Sequence, residues 1–546
     1  MQKQAQNRKI ESLLTALLLL VLLAYLAVYT VADFRGFPDL ATSDMYEDTL
    51  AARLMWEGKT LFPGNFLFGN QFYVIATPAL SALFYGLTDS MNTAMALATA
   101  CMSLLLLWSL DWMLRPFVKS GVTRAAALLA AVGLFFGPSE IRREDGVQLF
   151  YVMCSFYACY AITNFVVLGD YARARLEDRP RYPALAAALA LCFCAGVQSL
   201  RQTCMTVLPV VCLEMLRLLR RGLKKEPLLP REARRPLIRA AAYAAANFLG
   251  VLTARFVPAK QHTIYYGQSL LEGAPLREKL HEIHTAFSVV SGFDSVRTGS
   301  ARGFFLLMFL FCWGLVLAAA WLVILRYRRK DEADAACYWR LSLIACVGVL
   351  GAFLFTRVSL RAIYLFPLYF LPALSLVLIA RHISSRRFYL LAALLLCLTS
   401  ANLYFSYHED IAVLSRTEPS SREQICQYAM DNGYELVYGS QSHTAPQIAL
   451  FSDGALIAGC WQEDIPFKLS PHINIRDIYS FDDYRRAVFV FTNHEINAGI
   501  LEEAAANGAD MTFRGQYGSY YVYTSSQQLL YPITNTIDWG PFRDEY

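Results

Sequence analysis

Three carboxylates, Asp44, Glu47 and Asp48, fall within five positions of the stretch TSDMYEDTLAARLMWEG, residues 42–58. The spacing i, i+3, i+4 sets all three on nearly one face of a helix over 44–57. A carboxylate held this way can take the proton of an attacking hydroxyl. Several together can also ligate a divalent ion through oxygen. The stripe runs on through Ala51 and Met55, so the acids face protein or a membrane surface rather than open water. The bland alternative is a helix cap, with Asp44 as N-cap and Glu47 as the third-position partner of a capping box. The local pattern does not separate the two.

A second acidic group lies in GPSEIRREDGVQLF, which packs Glu140, Arg142, Arg143, Glu144 and Asp145 into a very short loop. Acids at two outer span ends can face one cavity; solvated local salt bridges would contribute little. The basic residues expected on the same side are few. They are Arg201 in GVQSLRQT, Arg357 and Arg361 in FTRVSLRAIYLFPLYF with Tyr364 close behind, and Arg255 with Lys260 and His262 at another span end. A lone arginine there usually snorkels to the interface. Several converging suit an anionic headgroup, because guanidinium binds phosphate through two parallel bonds.

The elements that must position these groups are membrane spans. The chain has 546 residues, 56% of them hydrophobic, and a mean hydropathy of +0.35. The apolar residues come in blocks of about 17 to 23, the length of a bilayer-crossing helix. Spans are expected at 13–31, 91–110, 124–138, 147–168, 184–200, 204–219, 238–257, 304–326, 341–360, 362–381 and 388–406. With about eleven spans every basic cluster lands on the cytoplasmic side, which puts the N-terminus in the cytoplasm and residues beyond 405 outside. The apolar stretch 72–87 contains Pro78 and would invert this order, so it reads as an interfacial or re-entrant helix. The expected architecture is therefore a polytopic α-helical membrane domain, 1–405, with outer loops at 32–90, 139–146 and 258–303. A small extracytoplasmic α/β domain, 406–546, follows; it reads helix, strand, helix, strand, then strand, helix and two strands. No basic-aromatic patch suits nucleic acid. Of thirteen cysteines eleven lie in or beside spans as small hydrophobes, and only Cys426 and Cys460 fall in the outer domain.

This layout resembles the GT-C superfamily of integral-membrane glycosyltransferases, nearest to the protein O-mannosyltransferase and aminoarabinose transferase group. The family's first outer loop carries an Asp-Glu pair, a helix and then a glycine. Aligned on Gly58, the pair falls on Ser43-Asp44, so the first acid is missing and Asp44 takes the role of the second, with Glu47 and Asp48 as substitutes. REDGVQLFYVMCSFYACYAI looks like the family's acid-led fourth span, and RAIYLFPLY like its late Arg/Tyr segment. The resemblance implies transfer of a sugar from a polyprenyl-phosphate donor to an acceptor hydroxyl on a glycan, lipid or protein. The catalytic candidates are Asp44, Asp48, Glu47, Asp145 and Glu144. The donor-phosphate candidates are Arg361, Arg201, Arg357, Tyr364 and Arg255. A phosphate leaving group needs no general acid, so one base and a cation suffice, with inversion at the anomeric carbon. No metal is required, although Mg²⁺ or Mn²⁺ would suit the carboxylates. The competing reading is a transporter or flippase of lipid-linked envelope precursors, which would use the same groups for binding alone.

Overall fold

The computed structural model describes all residues except 1, 70, 140–149, 154–156, 177–181, 260–275, 299, 326–333, 355–359, 443, 463–464, 470–482 and 530–546. Apolar blocks in lipid must satisfy their own amides, and a helix does so within one segment. In chain order the main helices up to the end of the spans are α1 (Gln2–Arg35), α2 (Ser43–Glu57), α3 (Thr77–Thr88), α4 (Met91–Leu114), α5 (Gly121–Gly133), α6 (Ala158–Leu176) and α7 (Tyr182–Gln198). They continue with α8 (Leu208–Leu223), α9 (Arg231–Ala254), α10 (Leu276–Ser291), α11 (Arg302–Leu325), α12 (Asp334–Leu354), α13 (Leu371–Ala380) and α14 (Ser385–Leu414). Among the described residues eight helical stretches are long and apolar enough to cross a membrane. They are α1, α4, Leu200–Leu223 with α8, α9, α11, α12, Ala362–Ala380 with α13, and α14. Helices α5, α6 and α7 occupy the other three expected positions.

Two boundaries differ from the sequence expectation. Among the described residues of the span expected at 147–168, the helix runs from Ala158; Met153 sits at φ 54, in the left-handed region, and a right-handed helix cannot run through it. The apolar stretch 72–87 yields the 12-residue α3, which begins with Pro78 in its first turn. At 1.5 Å per residue it is roughly 18 Å long, well short of a bilayer's hydrocarbon.

The chain forms two compact units. The first comprises Met1–Thr30, Ala100–Phe256 and Tyr266–Ile411; the second comprises Val31–Thr99, Val257–Tyr265 and Ala412–Tyr546. In the first unit, helix ends inside an apolar bundle need partners for their last carbonyls. Asn402 of α14 supplies them: its Nδ2 donates to the carbonyls of Gly133 (3.0 Å) and Phe135 (2.8 Å) at the end of α5. One and two turns further along the same stripe, Ser406 accepts from the Gly137 N–H at 3.1 Å, and Asp410 accepts from Ser139 at 2.7 Å. Tyr25 of α1 donates to the Thr399 carbonyl at 2.7 Å, and the Tyr29 and Tyr407 hydroxyls lie 2.9 Å apart. Elsewhere in this unit α7 and α9 meet backbone to backbone through Gly196 and Gly250.

The second unit joins α2 and α3 to the C-terminal α/β fold. That fold contains α15 (Ser421–Asp431), β1 (Leu436–Ser440), α16 (Ala445–Phe451), β2 (Ile457–Gln462), β3 (Ile465–Leu469), β4 (Ala487–Thr492), α17 (Ile500–Ala506), β5 (Met511–Tyr517) and β6 (Tyr520–Ser525). Its six strands run in the order β3-β2-β1-β4-β6-β5. β1 is parallel to β2 and β4, while β2–β3, β4–β6 and β5–β6 are antiparallel. Buried on both faces, β1 and β4 are continuous apolar runs. Cys426 is a buried free thiol on α15, pushed up to about 12 by burial, and is not bridged.

Candidate functional site

Helix α2 forms because SDMYEDTLAARLMWE is rich in good helix formers and ends at Gly58. Its N-cap is Thr42, with no side-chain cap bond, so Asp44 sits inside the first turn and no capping box forms. None of the three acids is the cap of this helix. They turn inward together: Asp48 is fully buried, Glu47 buried and Asp44 half-buried. Tyr73 is buried close enough to the three acids for their charges to act on its phenol. Glu47 Oε1 is buried with no hydrogen-bond partner among the described residues. Burial first, then the charges of Asp44 and Asp48, push the Glu47 carboxyl well above the usual range. Buried acids this close disfavour one another's ionised forms. Burial and the neighbouring acids likewise raise the Tyr73 phenol.

The loop FPGNFLFGNQFY, which carries Tyr73, packs on its own aromatic rings. Phe66 and Phe68 stand 5.0 Å apart, Phe68 and Phe72 5.3 Å, and Phe68 and Tyr73 5.5 Å. Of the three acids, Asp44 alone is partly open.

The cationic candidates lie in the first unit. Ser199 caps a one-turn helix, accepting the Arg201 N–H at 3.3 Å, and a π-helical stretch, Thr203–Val207, follows. Such a bulge re-aims side chains within a helix and recurs at functional sites. The Arg201 guanidinium lies 4.7 Å above the Tyr364 ring. Tyr364 is carried by the 3₁₀ turn Ala362–Leu365, directly after exposed Arg361. The carboxylate of Glu282 on α10 accepts the Leu360 N–H at 2.9 Å and fixes the approach to that turn. The ring centroid of buried Tyr157 is 6.4 Å from that of Tyr364. Arg201, Arg361 and Tyr364 are thus brought together. Arg255 is exposed at the end of α9, and among the described residues nothing joins it to them.

Glu144, Asp145, Arg357, Lys260 and His262 lie outside the described residues. Among the described residues no three His, Cys, Asp or Glu side chains are arranged to hold a metal ion. Sequence reasoning missed Tyr73 and Tyr157. Tyr73 had a signal: a tyrosine directly after a phenylalanine-rich loop is a natural cover for buried acids. Tyr157 had none, being one aromatic among many.

The chain, a multi-pass helical bundle with a carboxylate-bearing helix after its first long apolar helix and a C-terminal α/β fold, shares its fold with solved structures. Two crystal structures of ArnT from Cupriavidus metallidurans share that fold with this chain. The apo structure superposes with a TM-score of 0.53 at 13% identity, covering 95% of this chain and 98% of that one. The structure bound to undecaprenyl phosphate gives 0.52 at 13% identity, covering 95% and 99%. No family model matches the sequence, and no curated protein does.

Proposed function

We propose that this membrane protein transfers a sugar from a polyprenyl-phosphate donor to an acceptor hydroxyl. The observation that carries the reading is the fold shared along almost the whole chain with a protein solved bound to undecaprenyl phosphate. The residues support it from below. The acceptor oxygen attacks the anomeric carbon while Asp44 takes its proton, with Asp48 and Glu47 completing the acidic group. The bond to the phosphate oxygen breaks, its electron pair stays on the phosphate, and Arg201 and Arg361 hold the developing charge. Displacement opposite the phosphate inverts the anomeric centre. The phosphate leaves as an anion, so the step needs no metal; any contribution from Mg²⁺ or Mn²⁺ is read by chelation. The N-terminus is cytoplasmic in this reading, and the α/β unit lies outside, where the acceptor glycan, lipid or protein is met.

The test is direct. Purified full-length protein is incubated in lipid with a panel of polyprenyl-phosphate sugars, and release of free polyprenyl phosphate is followed with simple glycan, lipid and peptide acceptors. Acceptor-dependent consumption of one donor class is expected. Tight donor binding without consumption of any member would sink the enzyme reading and leave a carrier of lipid-linked precursors.

A further inference from the structure

The α/β unit holds the acidic helix by the face opposite its carboxylates. On β2, Ile457 gives its N–H to the Glu435 carbonyl on the β1 side, so the next N–H, that of Ala458, points to the other edge. Among the described residues β3 pairs with β2 at Trp461 and Gln462, and no strand pairs with Ala458 on that edge. The vacancy is filled by Tyr46 of α2: the Ala458 N–H donates to its hydroxyl oxygen at 2.9 Å. Tyr46 is fully buried.

Two turns along the same helix face, Arg53 Nη1 donates to the Gly454 carbonyl at 2.8 Å, and its Nε pairs with Glu57 at 2.8 Å. The turn that presents Gly454 also grips the start of α4. Asn92 gives its N–H to Asp453 and its Nδ2 to the Leu450 carbonyl, each at 2.8 Å. Gly454 has φ +95, and a side chain there would meet Met91 Sδ at 2.6 Å and Arg53 Nη1 at 3.1 Å, so the turn admits only glycine. Before α2, Asp39 pairs with Arg416 at 2.7 Å, and Arg416 with Glu423 at 2.9 Å. The segment bearing the acids is tied to the α/β fold on each side and in its middle.

Asp44 and Asp48 stand two residues either side of Tyr46, which places both roughly 160° around the helix from it. We infer that Tyr46, seated on the edge of β2, is a positioning residue for Asp44 and Asp48, and that the α/β unit serves to hold α2 in its reactive rotation. This rests on the transferase reading above. A helix fastened through one tyrosine and one arginine on one face cannot roll about its axis without breaking both bonds. The carboxylates opposite keep a fixed direction.

Two variants test it in the full-length protein: Tyr46→Phe, which removes one oxygen, and Arg53→Gln as the second lock. Hydrogen exchange should quicken within residues 44–57 and leave the spans unchanged. Turnover with the consumed donor should fall about 10- to 100-fold in kcat while donor KM stays put, since a misplacement of about 1 Å near the chemistry has that scale. Unchanged kcat in both variants, or kcat and KM moving only in step with loss of folded protein, would overturn the inference. If the wild-type protein consumes no donor, the transferase reading fails by itself. Exchange then decides the positioning alone, and a change spread over the whole chain or absent from α2 refutes it.

Discussion

Substituting alanine for Gly196 should push α7 and α9 apart. A Cβ at position 196 would lie 2.2 Å from the Asn247 carbonyl oxygen and 3.0 Å from the Val251 nitrogen; one at Gly250 would lie 2.1 Å from the Phe193 oxygen and 3.0 Å from the Val197 nitrogen. These are backbone atoms and cannot swing aside, so the axes must part by roughly 1 Å to restore ordinary contact. Two side-chain bonds stretch with them: Asn247 Nδ2 to the Cys192 carbonyl, 2.9 Å, and Thr203 Oγ1 to Asn247 Oδ1, 2.8 Å. Overpacking of about 1–3 kcal/mol and about 1 kcal/mol for each of the two weakened bonds give a loss of roughly 3–5 kcal/mol. Thr203 opens the π-helical stretch two residues after Arg201, so the same displacement reaches the guanidinium. The assay is thermal unfolding of the detergent-purified protein, followed by tryptophan fluorescence, with donor binding measured alongside. One outward movement relieves both clashes, so the Gly196→Ala/Gly250→Ala double variant should cost clearly less than the sum of the singles. A single variant melting within a degree of wild type, or strictly additive costs, would refute the reasoning.

Four further outcomes are expected. Asp44→Asn keeps the shape of α2 but removes a base, and should abolish transfer while melting like wild type; full turnover would move the role to Asp48. Arg361→Ala and Arg201→Ala should each weaken donor binding measured by lipid competition, and unaltered affinity in both would mean that they only snorkel. Glu47→Gln tests the raised carboxyl. A folded pKa above the unfolded value favours the folded state at acid pH, and that advantage is lost as pH rises through the folded pKa. The variant should therefore match wild type at acid pH and melt progressively higher than it at alkaline pH; a constant difference across pH would show that Glu47 does not titrate in the fold. A reporter fused after Tyr546 should be active only outside the cytoplasm, and a cytoplasmic signal would reverse the orientation proposed for the outer unit.

Helices with a long apolar period were visible before the structure, because hydropathy acts along one segment and needs no partner. The strands of the α/β unit were visible for the same reason, except β3. Its five residues IPFKL carry Pro466 and pair with β2 at only two positions, too little for a pattern. The acids of α2 were legible from spacing, but their cap reading failed. Thr42 took the N-cap position, which only the path of the chain between Phe37 and Ser43 decides. The bond from Ala458 to Tyr46 joins residues 412 apart and leaves no mark in either neighbourhood. The gathering of Arg201 over Tyr364 is equally non-local: it depends on a π-helical stretch, which is a departure from regular hydrogen bonding that composition does not announce.

The polar stripe of α14 has a consequence for biosynthesis. Asn402 satisfies carbonyls at the end of α5 that are made almost 270 residues earlier (269 between Gly133 and Asn402), and Thr399 answers a tyrosine of α1 made 374 residues earlier. On a ribosome adding about 5–20 residues per second, those groups wait in the insertion machinery or the bilayer for many seconds with no intended partner. An unsatisfied amide in hydrocarbon is costly, so the early spans are the natural clients of whatever shields polar helices during insertion. The nascent bundle stays open to proteolysis until α14 arrives and locks it.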